Sequence, residues 1–157
     1  GEYIMTGKLT RATDGNRVSE LLGLPKEADD QATLRARVKN GLPAASVENI
    51  WEVMHSYPTQ KIVSERAYRR AKAEKIALSP VKSRILYDFA RAYVVADRIY
   101  QGNGALIMRF LEKPNSALGG ASPIALAISS PAGADAVIEL LDGPNEEPRE
   151  GASEELS

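Results

Sequence analysis

SPVKSRILYDFARAYVVADRIY, residues 79–100, is the stretch that decides the fold. Ser79 can cap a helix, and Pro80 suits the first helical position, where a missing N–H is not needed and the fixed φ is already helical. Ile85, Leu86, Phe89, Tyr93, Val94 and Ile99 then recur at three- and four-residue spacing down to Tyr100. That is the period of an α-helix. It is the longest helix the sequence predicts, and the same reading extends from it in both directions. Upstream, Ser64 caps a helix over Glu65 to Lys75. Before it, Pro43 opens a helix whose apolar stripe is Val47, Ile50, Trp51 and Met54 and which Pro58 stops. Leu34 and Val38 share one face of a helix over 32–38, closed by a left-handed cap at Asn40-Gly41. Residues 18–24 supply one or two turns before Pro25. Downstream, Gly102-Asn103-Gly104 breaks the long helix, 105–111 resumes it, and Lys113-Pro114-Asn115 ends it. Two short helices over 123–128 and 133–141 follow the Gly119-Gly120 turn. Strand signals are nearly absent and no fixed-period repeat occurs, so the expected class is all-α.

The composition of the 157 residues, 43% hydrophobic and 26% charged, is that of a globular protein. No run approaches the roughly 18 apolar residues of a membrane span. Residues 1–10 lack the basic-then-apolar layout of a secretory signal, and a cytoplasmic protein is expected. With no cysteine, disulfides, thiolate catalysis and Cys-based zinc sites are excluded. The net charge of −1 conceals an asymmetry. Residues 35–84 hold 11 Lys/Arg against four Asp/Glu, whereas 135–157 hold eight Asp/Glu against one Arg. Either these are two solvated faces, or a basic surface meets nucleic acid and an acidic end meets another partner.

Reactive constellations are missing. His55 is the one histidine, placed at a helix end where a capping or surface role outweighs catalysis. Nothing resembles the strained turn that exposes a nucleophilic serine. Gly102-Asn103-Gly104 lacks the spacing and the Lys-Ser/Thr of a phosphate loop. The paired acids Glu146-Glu147 and Glu154-Glu155 lie in a tail, 144–157, too polar to bury anything and expected to be flexible. The expectation is a protein that is not an enzyme, with no metal and no cofactor; a small enzyme remains the least favoured of three classes.

Residues 64–75 have the make-up of a recognition helix. Capped by Ser64, the cations Arg66, Arg69, Arg70 and Lys72 can hold phosphates or read bases in a major groove, with Tyr68 facing the core or reaching a phosphate. An amphipathic helix with a solvated basic face has the same composition.

A family likeness joins these pieces. The run Arg109-Phe110-Leu111-Glu112-Lys113-Pro114-Asn115-Ser116-Ala117-Leu118-Gly119-Gly120-Ala121-Ser122-Pro123-Ile124-Ala125-Leu126, followed by Gly133-Ala134-Asp135-Ala136-Val137-Ile138-Glu139-Leu140-Leu141, resembles the toxin-binding domain of the Xre/MbcA/ParS antitoxins, with the ParS type nearest. Upstream, Leu34-Arg35 with Arg37-Val38, Gly41-Leu42-Pro43, Ser64-Glu65-Arg66, Arg69-Arg70 and Leu78-Ser79-Pro80 resemble the family's Xre-like N-terminal half. The likeness runs from about Leu21 to Gly143. It departs from the family in two places. The segment between Leu42-Pro43 and Ser64 is short for a helix-turn-helix, with Pro58 where the first helix should run. After Leu141, Asp142-Gly143-Pro144 and the acidic tail replace the usual ending.

The resemblance implies a three-part layout. Residues 18–100 would form a degenerate Xre-like helix-turn-helix and dimerisation region, 101–143 the toxin-binding domain, and 144–157 an acidic tail. The implied partner is a RES-domain toxin, ADP-ribosyltransferase-like and using NAD, whose NAD pocket the antitoxin covers. A homodimer within a heteromeric complex is implied, as is repression of its own operon. Toxin contact is expected at Pro114, Asn115, Leu118, Gly119, Gly120, Pro123, Pro131, Asp135, Glu139, Asp142, Glu146, Glu147 and Arg149. DNA contact is expected at Ser64, Arg66, Arg69, Arg70 and Lys72. The leucines Leu126 and Leu140 are expected to be core. The alternative is a DNA-binding transcriptional regulator with no toxin partner.

Overall fold

The computed structural model of the protein describes residues 12–25, 30–54 and 57–143. Eight α-helices and two 3-10 turns make up the described secondary structure, and no strand occurs among these residues. The helices are α1 (Ala12–Leu21), α2 (Gln31–Asn40), α3 (Ala44–Val53), α4 (Glu65–Glu74), α5 (Pro80–Ile99), α6 (Gly104–Glu112), α7 (Pro123–Ser129) and α8 (Pro131–Asp142). The 3-10 turns are Thr59–Lys61 and Ser116–Leu118. The all-α expectation holds. His55 and the tail 144–157, with Glu146, Glu147 and Arg149, lie outside the described residues.

Helix starts follow the capping residues. Ser64 Oγ accepts the N–H of Ala67 at 3.1 Å and Ser79 Oγ that of Lys82 at 3.2 Å. The Ser-Pro device recurs twice more. Ser122 caps α7 and Ser130 caps α8, each followed by a proline at the first helical position. Some boundaries move. α1 starts at Ala12, a turn and a half before the sequence pattern, because its early residues are anchored by polar contacts that leave no apolar period. α3 ends at Val53 and not at Pro58, which instead precedes the first 3-10 turn. Gly41 ends α2 with φ 108° and ψ 131°, outside the left-handed helical well expected of it, as the chain turns so that Leu42 O accepts the N–H of Leu78 at 2.8 Å.

α5 is the central element. The sequence predicts one apolar face, yet every residue from Leu86 to Ala96 is buried. Helices α1, α2 and α3 pack against α5, and so do α6, α7 and α8. Ala90, Ala92 and Ala96 let those neighbours approach closely. One core cluster joins Leu22, Leu34, Leu42, Ile50, Leu86 and Phe89 to Ile107, Leu111 and Ile124. A second, smaller one joins Ala92 to Ala127, Ala134 and Val137. A boundary at residue 100 follows the end of α5, but packing continues across it. Ile99, expected on the apolar face, is 42% exposed, although Asp97 and Arg98 beside it pair with residues of α1 and α8.

Candidate functional site

The segment between α6 and α7 is a loop closed on itself. Asn115 N–H donates to Ala121 O and Gly120 N–H to Asn115 O, both at 3.0 Å. The Asn115 side chain accepts the N–H of Ala117 at 2.9 Å, the turn its residue type predicts. Gly119 and Gly120 take φ of 69° and 90°, conformations an L side chain resists. The loop therefore needs no partner to hold its shape. Pro114, Gly119 and Gly120 are exposed on it, and Asn115 and Leu118 are half-buried.

α7 and α8 lie against each other at unusually short range. A Cβ on Gly133 would stand 2.1 Å from Leu126 O, so only glycine fits this crossing. Val137 and Ile138 are buried below, each contributing about 1.5–3 kcal/mol of apolar burial. The outer side of α8 meets the closed loop in a depression of about 300 Å³ lined by Ala117, Leu118, Ala136, Glu139 and Leu140. Of the residues the sequence reading proposed, Leu118 and Glu139 come together here.

Leu140 is a correction. It was read as core, but it is half-buried and lines this depression. Ala117 and Ala136 were not singled out by sequence, because alanines carry little apolar signal. Leu126 is half-buried against the second cluster, closer to expectation.

Two more expected contact residues have structural tasks. Pro123 is buried at the first turn of α7, out of reach of any partner on this surface. Asp142, read as part of an acidic contact end, has a side chain only 7% exposed and is gripped by Arg98. Asp135 is 40% exposed and also engaged, accepting from Arg91 Nη1 at 2.6 Å. Pro131 is half-buried and accepts from Arg91 Nη2 at 3.2 Å through its carbonyl.

These bonds belong to a clasp that the sequence reading missed. Arg91 is fully buried in α5, with its Nη2 on Asp88 Oδ1 at 2.9 Å, while Arg84 Nη1 holds the other Asp88 oxygen at 2.7 Å. Burial pushes the Asp88 carboxyl above its usual range against the pull of Arg91 and Arg84. Burial also opposes the charge of Arg91, but Asp88 and Asp135 outweigh it and the guanidinium is held more firmly protonated. Seven residues on, Arg98 grips Asp14 of α1 through Nε and Nη2, and Asp142 through Nη1 and Nη2, at 3.0–3.1 Å. Its charge is reinforced first by the Asp14 hydrogen bond. Arg17 and Asp97 add a further α1–α5 ion pair. Both ends of α8 are thus fastened to α5, one of them through to α1.

The basic helix α4 is built differently. Ala71 is its one fully buried residue, and Ala67 and Tyr68 are half-buried against α3. Tyr68 takes the inward of its two expected placements. Its ring tilts against Trp51 at 4.8 Å and its hydroxyl donates to Glu48 at 2.5 Å. Lys72 donates to the same Glu48 oxygen at 2.9 Å. These hydrogen bonds, from Lys72 and then Tyr68, keep the Glu48 carboxyl below the ordinary glutamate range. Arg69 pairs with Glu65 and Arg70 with Glu74 along the helix, and Arg66 is exposed. Ser64 is spent on the cap. The helix before α4 is α3, which packs against it, and the 3-10 turn Thr59–Lys61 lies between the two.

Among the described residues no helix is long and apolar enough to cross a membrane, and no three His, Cys, Asp or Glu side chains are grouped to hold a metal. No curated protein matches the chain closely enough to inform its function. Residues 95–143 match the family model described as the antitoxin Xre/MbcA/ParS C-terminal toxin-binding domain. That span runs from the last turns of α5 through the closed loop to the end of α8, the unit that Arg98 and Gly133 hold together. The C-terminal part of this protein is therefore similar to the toxin-binding domain of the Xre/MbcA/ParS antitoxins, and this match supports the role of an antitoxin in a toxin–antitoxin pair.

Proposed function

We propose that the protein neutralises an NAD-using toxin of the RES-domain kind by laying the surface of residues 101–143 over the toxin's NAD pocket. The observation that carries this reading is the depression between the closed loop and α8. It offers apolar Leu118 and Leu140 for burial, with the carboxylate of Glu139 at its edge. A pocket that binds a dinucleotide pyrophosphate is cationic, so an acid framed by apolar surface complements its rim. Pro114, Asn115, Gly119 and Gly120 extend the contact along the loop, and the outer edge of Asp135 extends it along α8. Glu146, Glu147 and Arg149 follow α8 in the chain and would enter or flank the same cleft. Pro123 and Asp142 serve by holding the surface in shape. The antitoxin acts as a homodimer within the heteromeric complex.

Co-expression tests this directly. A RES-domain toxin encoded beside this chain should arrest growth and deplete NAD alone, and do neither when this protein is present. Copurification of the two with NAD loss undiminished would refute occlusion of the pocket.

The complex also represses its own operon through α4. Supporting this is the outward display of Arg66, Arg69 and Arg70 on a helix whose one fully buried residue is Ala71. A mobility-shift assay on the upstream promoter should lose its shift with Arg66→Ala/Arg69→Ala, and each lost phosphate contact should reduce the salt slope by about 0.9. Equal binding by the double variant would remove α4 from the interface.

A further inference from the structure

Helix α6 buries Ile107, Met108 and Leu111 and leaves Leu106 and Arg109 exposed beside the half-buried Phe110. At about 100° per residue these last three share one side of the helix, and the exposed Lys113 follows as its C-cap. The exposed large apolar side chains among the described residues are Ile76, Val81, Ile99 and Leu106. Of these, Ile99 and Leu106 fall within residues 95–143, the span that matches a toxin-binding domain. Tyr100, next to Ile99, sets its ring 5.9 Å from that of Phe110 and so joins the end of α5 to this stripe. On the reading that residues 101–143 cover a toxin's NAD pocket, we propose that the outer stripe of α6 seats on the same toxin beyond the pocket, on apolar surface edged by carboxylates.

Charge and continuity carry the assignment. Arg109 and Lys113 make no ion pair among the described residues. Glu112, the one acid of α6, pairs with neither; its charge, after burial, helps hold the Tyr57 phenol above its ordinary value. The acids at the end of α5 are already engaged, Asp97 by Arg17 and Asp142 by Arg98. Both cations are therefore open to carboxylates from outside. Apolar Ile99 and Leu106 beside them suit a protein surface better than phosphates, which reward cations alone. The stripe is also continuous with the proposed contact. Exposed Lys113 and Pro114 lead into the closed loop, and exposed Ser116 and Ala117 carry the surface to the depression at Glu139. The domain thus shows a carboxylate at one end of this path and two cations at the other. A toxin with a cationic pocket and an acidic shoulder meets both signs in one orientation, and the reversed orientation sets like charges together.

Calorimetry of the full chain with the RES-domain toxin encoded beside it tests this. Arg109→Glu/Lys113→Glu should weaken toxin binding by about ten-fold or more, and Leu106→Asp by a similar factor. Arg109→Lys/Lys113→Arg, which keeps both charges, should bind as the wild type does. The deficit of the charge-reversed variant should shrink as salt is raised. Melting temperatures should hold throughout, since these side chains are exposed. A wild-type chain that does not bind the toxin would overturn this inference together with the occlusion of the pocket. Wild-type binding with unchanged affinity in the charge-reversed variant or in Leu106→Asp would overturn this inference alone. So would a charge-reversed variant that loses promoter DNA and keeps the toxin.

Discussion

Helices α4 and α8 are of similar length and both pack from the outside, but they are attached in opposite ways. α8 buries Gly133, Ala134, Val137 and Ile138 and is tied to α5 by the buried Arg91 near one end and the half-buried Arg98 at the other. α4 buries Ala71 alone and leans on α3 through one aromatic contact and one shared carboxylate. A surface that must meet a folded partner gains affinity by being shaped in advance, since little ordering is then left for binding. A helix that reaches for phosphates is governed by its cations and by salt, and tolerates a looser seat. Under the proposed function, the contrast matches rigidity to the toxin-binding end and electrostatics to the basic end.

The strongest test of that contrast is Arg91→Met. It takes from the buried Asp88 one of its two arginines, leaving Arg84 as the other, and up to about 3–5 kcal/mol of stability should vanish in urea unfolding. Asp88→Asn added to it should restore part of the loss. The matching change on α4, Arg69→Met, should cost less than about 0.5 kcal/mol, since its ion pair is exposed. Equal losses from the two would erase the distinction.

Gly133→Ala comes next. Its methyl group meets Leu126 O, so α7 and α8 must part, and about 1–3 kcal/mol of destabilisation is expected in thermal denaturation. Toxin capture should fall with it, because the depression spans α8 and the loop that precedes α7.

Leu140→Asp with Glu139→Arg asks whether the displayed surface is used at all. The melting temperature should hardly move, whereas affinity for the toxin should drop by about thirty-fold or more, the loss of one hot spot of about 2 kcal/mol. Undiminished capture would place the interface elsewhere on the domain.

The smallest effect concerns acid. Glu48 has a folded pKa below its unfolded one, so its contribution is complete above the ordinary glutamate value, about 4.3, and is lost as pH falls through the lowered value. Trp51, the one tryptophan, sits against Tyr68 and should report loosening of the α3–α4 seam by fluorescence in that window. Glu48→Gln should flatten the transition. Asp88 has the opposite sign: its folded pKa is raised, so its contribution is present in acid and diminishes as pH rises through that value. Acid therefore weakens the α4 seam without acting on α8 through Asp88.

Sequence reading succeeded where one residue type has one physical use. Serines and prolines at helix starts, and Asn115 before a glycine pair, announce local geometry and lie where expected. Polar contacts between distant segments were not legible. Nothing in the sequence marks Arg91 and Asp88 as buried, because charge rarely is, and 44 residues separate Arg91 from the Asp135 that completes its site. Asp142 looked like the start of an acidic contact end for the same reason. Asp14, 84 residues from Arg98, gave α1 no apolar period to find. Leu140 failed in the other direction, since an apolar side chain looks the same in sequence whether it enters a core or lines a surface depression. The likeness to a toxin-binding domain was legible through its ordered motif, and the depression beside α8 only through the fold.

Arg91 and Arg98 are seven residues apart on α5, and so are their partners Asp135 and Asp142 on α8. This equal spacing sets a rule for inherited length change. One residue inserted or deleted between the two aspartates would turn one of them about 100° away from its arginine. Related chains should therefore almost never vary in length between Arg91 and Arg98 or between Asp135 and Asp142. The interval from Asp135 to Asp142 acts as a ruler that evolution can repaint but not resize.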